Sequence, residues 1–419
     1  MKTNIWIMNH YAGGMFFDQG GRHYNFAKYL RRAGYAPVIF CANSKHGKPE
    51  QFLETDALWT ERSAGEIDTP FVFVKARTYT GNGKQRVLNM VDFYRNVQKA
   101  AVEYAAKHGK PDVIYASSVH PLTLVAGIRL AKRFGVKCIC EVRDLWPESI
   151  VAYSSCFTKK NPLIRLLYQG EKWIYKKADA LVFTMEGAYD YIVEQGWEKD
   201  IPRSKVHYIN NGVDLELFDY NKEHFRVEDP DLDDPNIFKV VYTGSVRRVN
   251  NLGLLLDAAK CVKDPRVKFL IWGDGDEREA LEQRVRDEKI ANVAFKGKVE
   301  KKYVPSIVSR GNLNFAHNAP SPLFRFGISF NKLFDYLAGE KPILCDYPCR
   351  YNPAITYGAG TEVRDTQPQE IAAVIDQLAE LPDEQHRLMG ANARRAAEDY
   401  DFKRLTDKLI SVIEDISEK

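Results

Sequence analysis

The chain has 419 residues, 45% hydrophobic and 28% charged, a globular composition too long for one ordinary core, so two domains of roughly 200 residues are the default. No apolar run reaches the ~18 residues that would span a bilayer, and the opening MKTNIWIMNHYAGG reads as a first strand, not as a signal peptide. The net charge of +4 hides an asymmetry: residues 1–200 carry 28 Lys+Arg against 20 Asp+Glu and the remainder 32 against 36; the basic half lacks the dense Lys/Arg blocks of a nucleic-acid binder and suits an anionic lipid headgroup or a phosphorylated acceptor, or is an ordinary solvated surface.

Strand-like runs then alternate with helical patterns. TNIWIMNH is apolar and β-rich, and GGRHYNFAKYLRRAGY follows as a helix with Tyr24, Phe26, Ala27 and Leu30 at helical spacing. Next come the strands APVIFCA and FVFVKA, the helix RVLNMVDFYRNVQKAAVEYAAKHG, the strand PDVIYASS and the helix LTLVAGIRLAKRFG. VKCICEVRD is a strand whose Cys138 and Cys140 belong to an odd set of seven cysteines without a C-x-x-C pair, read as reduced thiols of a cytosolic protein. A helix around LIRLLYQGEKWIYKKA and the strands ALVFTM and KVHYINNG complete the first half. DPDLDDPN (229–236) is a connector, after which the pattern restarts with FKVVYTG, NLGLLLDAAKCV, VKFLIWGDG, EREALEQRVRDE, VAFKG, YVPSIVSRG, LNFAHN, the NKLFDYLA helix, PILCDY and two helices.

This alternation predicts an α/β protein of two Rossmann-like, doubly wound parallel domains, over 1–205 and 206–395, with a helix in 396–419 placed to cross back onto the first. Two such domains facing each other across a cleft bind ligands just past the carboxyl ends of their strands.

After the first strand come His10, Gly13, Gly14, Gly20, Gly21 and Arg22. Glycines there permit close backbone approach to a ligand, or make a plain tight turn, but G-x-G-x-x-G spacing is absent and a nicotinamide site is not indicated. His120, in SSVHP, ends a strand while Pro121 opens the next helix; an imidazole there can donate to a sugar hydroxyl, and His10 follows the same logic. In EVRDLWPES, Asp144 and Trp146 form a carboxylate–aromatic pair suited to a sugar, and Asp144 is also placed to cap the helix that Pro147 opens.

In the second half, YTGSVRRVNN turns at Gly244 and Ser245 and sets Arg247 beside Arg248, fixed cations suited to a diphosphate. GDGDE (273–277) reads as a strand–turn–helix junction, and no His/Cys/Asp cluster has metal-ligand spacing, so neither a metal nor another cofactor is expected. GISFNKLFDYLAGEKP (327–342) brings the amides of Gly327, Ile328 and Ser329 to a helix start, with Ser329 as cap and Asn331 and Lys332 extending the surface. Asp335, further along that helix, can take both hydroxyls of a ribose.

GGRHYNFAKYL (20–30), RDLWPE (143–148), INNGVDLELF (209–218), YTGSVRRVNNLGLLLDAAK (242–260), WGDGDERE (272–279) and GISFNKLFDYLAGEKP together make the whole chain resemble glycosyltransferase family 4, in the GT-B arrangement. It looks closest to the branch that builds bacterial O-antigen and capsule repeat units. The resemblance implies a metal-independent enzyme that binds a nucleotide sugar in its C-terminal domain and an acceptor against its N-terminal one. It also implies retention of anomeric configuration by a front-face mechanism, in which the departing diphosphate takes the acceptor proton. Carried over, Asp335 holds the ribose, Gly327 to Ser329 hold phosphate, Arg247 or Arg248 neutralises the leaving group, and His120 matches the cleft histidine near the donor sugar. Two positions depart from the family. Its G-R-L turn, with a lysine five residues after the arginine, is here Gly244-Ser245-Val246 with Asn250 at the lysine position, and the first acid of its two-glutamate motif is Gly327.

The expectation is a retaining glycosyltransferase moving a sugar from a nucleotide sugar, UDP before GDP, to a lipid-linked glycan in surface-polysaccharide biosynthesis. It would be cytoplasmic, with contact at the inner face of the membrane. His120, Arg247 and Arg248 would act in catalysis. Gly244, Ser245, Asn250, Gly327, Ile328, Ser329, Asn331, Lys332 and Asp335 would bind donor, and His10, Gly13, Gly14, Gly21, Arg22, Asp144 and Trp146 acceptor. The alternative readings are a sugar-nucleotide 2-epimerase of the same fold and an inactive carbohydrate- or nucleotide-binding protein. The segment 161–178 sets Leu163, Leu166, Leu167, Trp173 and Ile174 beside Arg165, Lys172, Lys176 and Lys177; it suits an interfacial helix, with a core-facing helix preferred.

Overall fold

The computed structural model describes residues 3–418 apart from 66, 119 and 155, with the side chains of 64 and 249 left out. It divides into two compact units, residues 1–210 with 402–419, and residues 211–401.

The first unit holds β1 (Asn4–Met8), β2 (Ala36–Ala42), β3 (Trp59–Ala64), β4 (Thr69–Val74), β5 (Val113–Ser117), β6 (Lys137–Val142), β7 (Ala180–Phe183) and β8 (Val206–Tyr208). They form one sheet in the order β3-β4-β2-β1-β5-β6-β7-β8, parallel except where β3 runs against β4. Ile5, Trp6, Ile7 and Met8 are wholly buried, because helices cover both faces of a parallel sheet. Trp6 packs edge-on against Tyr104 and Phe134 at 5.7 and 5.6 Å, fastening β1 to the helices Lys84–His108 and Pro121–Phe134.

The chain leaves β1 toward β2 and β4, then returns on the other side of β1 as β5, so the winding reverses between β1 and β5. Such a switch point opens a crevice past the strand ends, and His10 and His120 lie there. Gly13 and Gly14 are not in a ligand loop as expected; they begin a short helix, Gly13–Asp18. A Cβ at Gly13 would meet the Phe52 ring at 2.5 Å, so packing requires that glycine, whereas Gly21, at φ +96°, is required by its backbone.

The second unit holds β9 (Phe238–Thr243), β10 (Val267–Trp272), β11 (Val293–Gly297), β12 (Leu313–Ala316), β13 (Ile343–Cys345) and β14 (Gly360–Glu362). They are all parallel, in the order β11-β10-β9-β12-β13-β14. Here the winding reverses between β9 and β12. The acids of the connector are used internally: Lys296 reaches Asp229 at 2.8 Å and Asp231 at 2.7 Å, and Lys268 reaches Asp231 at 2.6 Å, pinning the segment to β10 and β11.

Both unit boundaries differ from expectation for local reasons. β8 pairs with β7, which keeps residues 206–210 in the first unit. The helix Asp383–Asp399 runs across position 396, so the return to the first unit begins at Phe402. From there the helix Phe402–Ser417 buries Phe402, Leu405, Thr406, Leu409, Val412, Ile413 and Ile416 on one stripe. Its Phe402 ring meets Phe26 edge-on at 5.7 Å, and Tyr35 donates to Glu414 at 3.0 Å.

Candidate functional site

In the second unit the site grows from the strand ends at β9 and β12. The loop after β9 is laced to the loop after β10: Gly244 N donates to Trp272 O at 3.0 Å, Val246 N to Asp274 O at 2.9 Å, and Glu277 N to Val246 O at 3.1 Å. A Cβ on Gly273 would stand 1.7 Å from Gly244 O, and one on Gly275 2.1 Å from Val246 O. The glycines of WGDGDERE therefore serve loop-to-loop contact. Asn250 donates to Ser245 O at 2.6 Å and to Ser245 Oγ at 2.7 Å, so these two expected donor ligands bind each other and fix the turn. Arg247 and Arg248 emerge from it exposed, with no ion-pair partner among the described residues.

A buried histidine joins the strand ends. His317, just past β12, turns Nδ1 to the Asp346 carboxylate and Nε2 to Asn251 O at 3.0 Å, and Asp346 also accepts from Asn318 N at 3.3 Å. This ties the loops after β9, β12 and β13 together. Lys332 donates to His317 O and lies over the Tyr242 ring at 4.7 Å. Burial, opposed by Asp346, brings its ammonium down from 10.5 to about 8. One of its three N–H bonds is engaged, leaving two for an anion.

The helix Asn331–Ala338 starts at Phe330 without a side-chain cap, so Ser329 does not cap it. Ser329 Oγ is instead buried with no partner among the described residues. Its carbonyl accepts from Asn211 Nδ2 at 2.9 Å. Gly327 is corrected as a phosphate ligand: its amide already donates to Phe324 O at 3.0 Å, and its φ of +109° closes the turn Pro322–Phe326. Ile328 is buried, Asn331 exposed and Asp335 half-buried. Burial raises the Asp335 carboxyl, opposed by Lys301. Next to it, Tyr336 anchors the helix by accepting from Thr243 N at 2.8 Å.

In the first unit, His10 Nδ1 and His120 Nε2 are 2.7 Å apart and both rings are buried. Burial, with each other's proximity, holds His10 well below its ordinary value. Burial and Arg86 push His120 down to about 3. Both imidazoles are neutral at physiological pH.

Arg22 is not an acceptor ligand. Its guanidinium is buried, 2.6 Å from Glu141, and donates to Asn210 O and, at 2.8 Å, to Ile209 O. The second Glu141 oxygen accepts from His23 Nε2 at 2.9 Å and Ser117 at 2.6 Å, and Tyr115 also donates to this carboxylate. Burial opposes the charge on Glu141, but Arg22 and His23 hold its carboxyl well below the usual range.

Asp144 is exposed and does not cap the following helix, Glu148–Tyr153, whose N-cap is Pro147. It and Trp146 line one small cavity with Ser118 and Pro121. Trp146 also borders a groove of 340 Å³ with Leu122, Val125, Leu166, Leu167 and Trp173. The helix Pro162–Lys177 is thus core-facing on one stripe only: Ile164, Tyr168, Glu171, Ile174 and Tyr175 are buried, but Leu163, Leu166 and Trp173 are 54, 66 and 40% exposed.

Sequence reasoning missed Glu141, His317, Lys301 and Arg86. His317 occupies the strand-end position that singled out His120. A lone glutamate inside the apolar run VKCICEV was the available signal for Glu141. Lys301 and Arg86 stand in polar stretches that offer none.

Each unit is a doubly wound α/β sheet with a switch point at its strand ends, and comparison with known families gives the class. The family model of Glycosyltransferase Family 4 matches residues 22–217, and that of Glycosyl transferases group 1 matches residues 223–396. The chain is a glycosyltransferase of the GT-B type, with a family 4 first half and a group 1 second half. No curated protein matches the sequence. Among solved structures, sucrose-phosphate synthase from Thermosynechococcus elongatus aligns with TM-score 0.72 at 18% identity, covering 99% of each chain. Anabaena HepE, solved with UDP, aligns with TM-score 0.64 at 15% identity over 99% of this chain and 100% of its own. The structure of trehalose-6-phosphate from E. coli bound with UDP-2-fluoro glucose aligns with TM-score 0.69 at 10% identity over 98% of this chain and 99% of its own. At these identities the likeness is one of fold.

Proposed function

We propose that the chain is a retaining glycosyltransferase that uses a UDP-sugar and a lipid-linked glycan acceptor in bacterial surface-polysaccharide assembly, in the cytoplasm at the inner membrane face. The observation that carries the donor reading is the β9–β12 switch point. Arg247, Arg248 and Lys332, an uncapped helix start and the unpartnered Ser329 hydroxyl stand together at one set of strand ends. That is a diphosphate site built from fixed cations and amides. The UDP bound in HepE, at the same fold, favours the uridine nucleotide.

In the reaction, an acceptor hydroxyl oxygen bonds to the sugar's anomeric carbon on the face from which the diphosphate departs. The carbon–phosphate oxygen bond breaks, and the hydroxyl proton passes to the leaving phosphate oxygen. Arg247, Arg248 and Lys332 stabilise the charge that grows there, with no metal required for that role, while Asp335 holds the ribose.

The lipid part of the reading rests on the exposed Leu163, Leu166 and Trp173 beside the Trp146 groove. Burial raises Glu171, bordering that groove, to about 8. A panel of UDP- and GDP-sugars read by melting temperature tests the donor. A UDP-sugar at a hundred times its Kd should stabilise the protein by about 2.7 kcal/mol. No shift from any nucleotide sugar contradicts the reading, and epimer formation without nucleotide release would favour the epimerase.

A further inference from the structure

The second unit buries an ionisable pair that the proposed reaction leaves without a role. His317, just past β12, and Asp346, just past β13, are both fully buried. The His317 ring stacks on Phe315 at 5.6 Å, and Ile343, Leu344 and Cys345, which lead to Asp346, are wholly buried. Taking an imidazole and a carboxylate out of water is costly, and a well-packed apolar pair in such a place often serves stability as well or better. What an apolar pair lacks is a directed N–H. Asn251 O only accepts, so His317 Nε2, at 3.0 Å, donates to it. The ring is braced from its other side by one oxygen of Asp346, whose second oxygen accepts from Asn318 N at 3.3 Å.

Asn251 ends the stretch that presents the two arginines. Val246 and Leu252 are wholly buried, and Arg247, Arg248 and Asn251 between them are exposed. At its start the stretch is fixed by Val246 N, which donates to Asp274 O at 2.9 Å. Inside it, Asn250 N donates to Arg247 O at 2.8 Å and Asn251 N to Arg248 O at 3.2 Å. Asn251 turns the chain at φ +50°, a left-handed conformation that asparagine tolerates. Among the described residues, every other hydrogen bond of Arg247, Arg248, Asn250 and Asn251 stays within residues 245–254. The bond from His317 is thus what fixes the far end of the arginine stretch to another strand end.

We propose that His317 is a positioning residue for the nucleotide diphosphate: braced by Asp346, it holds the Asn251 carbonyl and so sets where Arg247 and Arg248 stand. The inference rests on that turn being the diphosphate site. Closing a loose turn on an anion costs backbone and side-chain freedom, and a turn fixed at both ends has lost part of that freedom in advance. A charge displaced by about 1 Å also loses much of its effect on a reacting group.

Two measurements on the full chain test this. Hydrogen exchange of the free protein reads the turn. Calorimetric titration with UDP reads the site, because UDP carries the charge that the leaving group acquires. The variants are His317→Asn, His317→Gln, and Arg247→Ala with Arg248→Ala. Asparagine reaches only to the place of Nδ1, whereas glutamine puts an amide N–H near the place of Nε2. For His317→Asn, amide exchange over residues 247–251 should be about tenfold faster, with β9 and β12 unchanged, and UDP should bind about tenfold more weakly. His317→Gln should stay within about threefold of wild type in both. Added to the two arginine changes, His317→Asn should weaken UDP no further, because it acts through them. Unchanged exchange over 247–251, or additive losses of UDP affinity, overturns the proposal. So does exchange that quickens equally in β9 and β12, or loss of the second unit's unfolding transition, since either makes the pair purely structural. If wild type does not bind UDP, the diphosphate reading falls, while the exchange comparison still decides whether His317 holds the turn.

Discussion

Positive charge at the β9–β12 switch point comes from three side chains in different surroundings. Arg247 and Arg248 are exposed, while Lys332 is held between a carbonyl and an aromatic ring. Fixed cations at a leaving diphosphate act mainly in the transition state. Arg247→Ala with Arg248→Ala should therefore lower kcat about a hundredfold or more and change the donor KM much less; steady-state kinetics showing kcat within twofold would remove them from the reaction. Lys332 predicts a pH effect. Its folded value near 8 lies below 10.5, so the native ammonium deprotonates while the unfolded one keeps its proton. Stability rises with pH across that window, and affinity for a diphosphate falls as pH passes about 8. UDP titrations from pH 7 to 9 should show this decline, and Lys332→Met should flatten it.

At this scale His10 and His120 were legible because strand ends can be read from sequence. The role of Arg22 was not. Its partner Glu141 lies 119 residues away, and the other groups on that carboxylate come from β5 and from His23. Only the strand order brings them together. Glu141→Ala leaves a buried guanidinium unpaired and should cost about 3–5 kcal/mol in denaturant unfolding. UDP affinity, a property of the other unit, should be unchanged.

Among elements, the helix Phe402–Ser417 carries the clearest consequence. Its buried stripe is contributed by the end of the chain to a unit built mostly from residues 1–210. Leu409→Ala, at a fully buried position, should destabilise the first unit by about 2–5 kcal/mol. A chain ending at residue 401 should lose that unit's cooperative transition. Retention of both transitions would show the helix to be dispensable. Its amphipathic pattern was visible in sequence, as were the apolar runs of the central parallel strands. β3 was not: WTERSA is polar because it is an antiparallel edge strand, where one face meets solvent. The helix Pro162–Lys177 misled for a related reason. Its apolar residues occupy more than one stripe, and periodicity alone does not say which stripe meets the core.

Across the whole molecule, each unit repeats one device, a parallel sheet whose winding reverses beside its first strand. At each reversal the strand ends carry polar residues: in the second unit Arg247 and Arg248, exposed and without an ion-pair partner among the described residues, and in the first the buried pair His10 and His120. The central claim is that the second reversal binds a nucleotide diphosphate with Asp335 on the ribose. Titration of UDP into wild type and Asp335→Ala by calorimetry tests it most directly. The account predicts saturable one-to-one binding that weakens at least tenfold in the variant, about 1.4 kcal/mol. Equal binding by both proteins, or no binding of UDP by wild type, would contradict it.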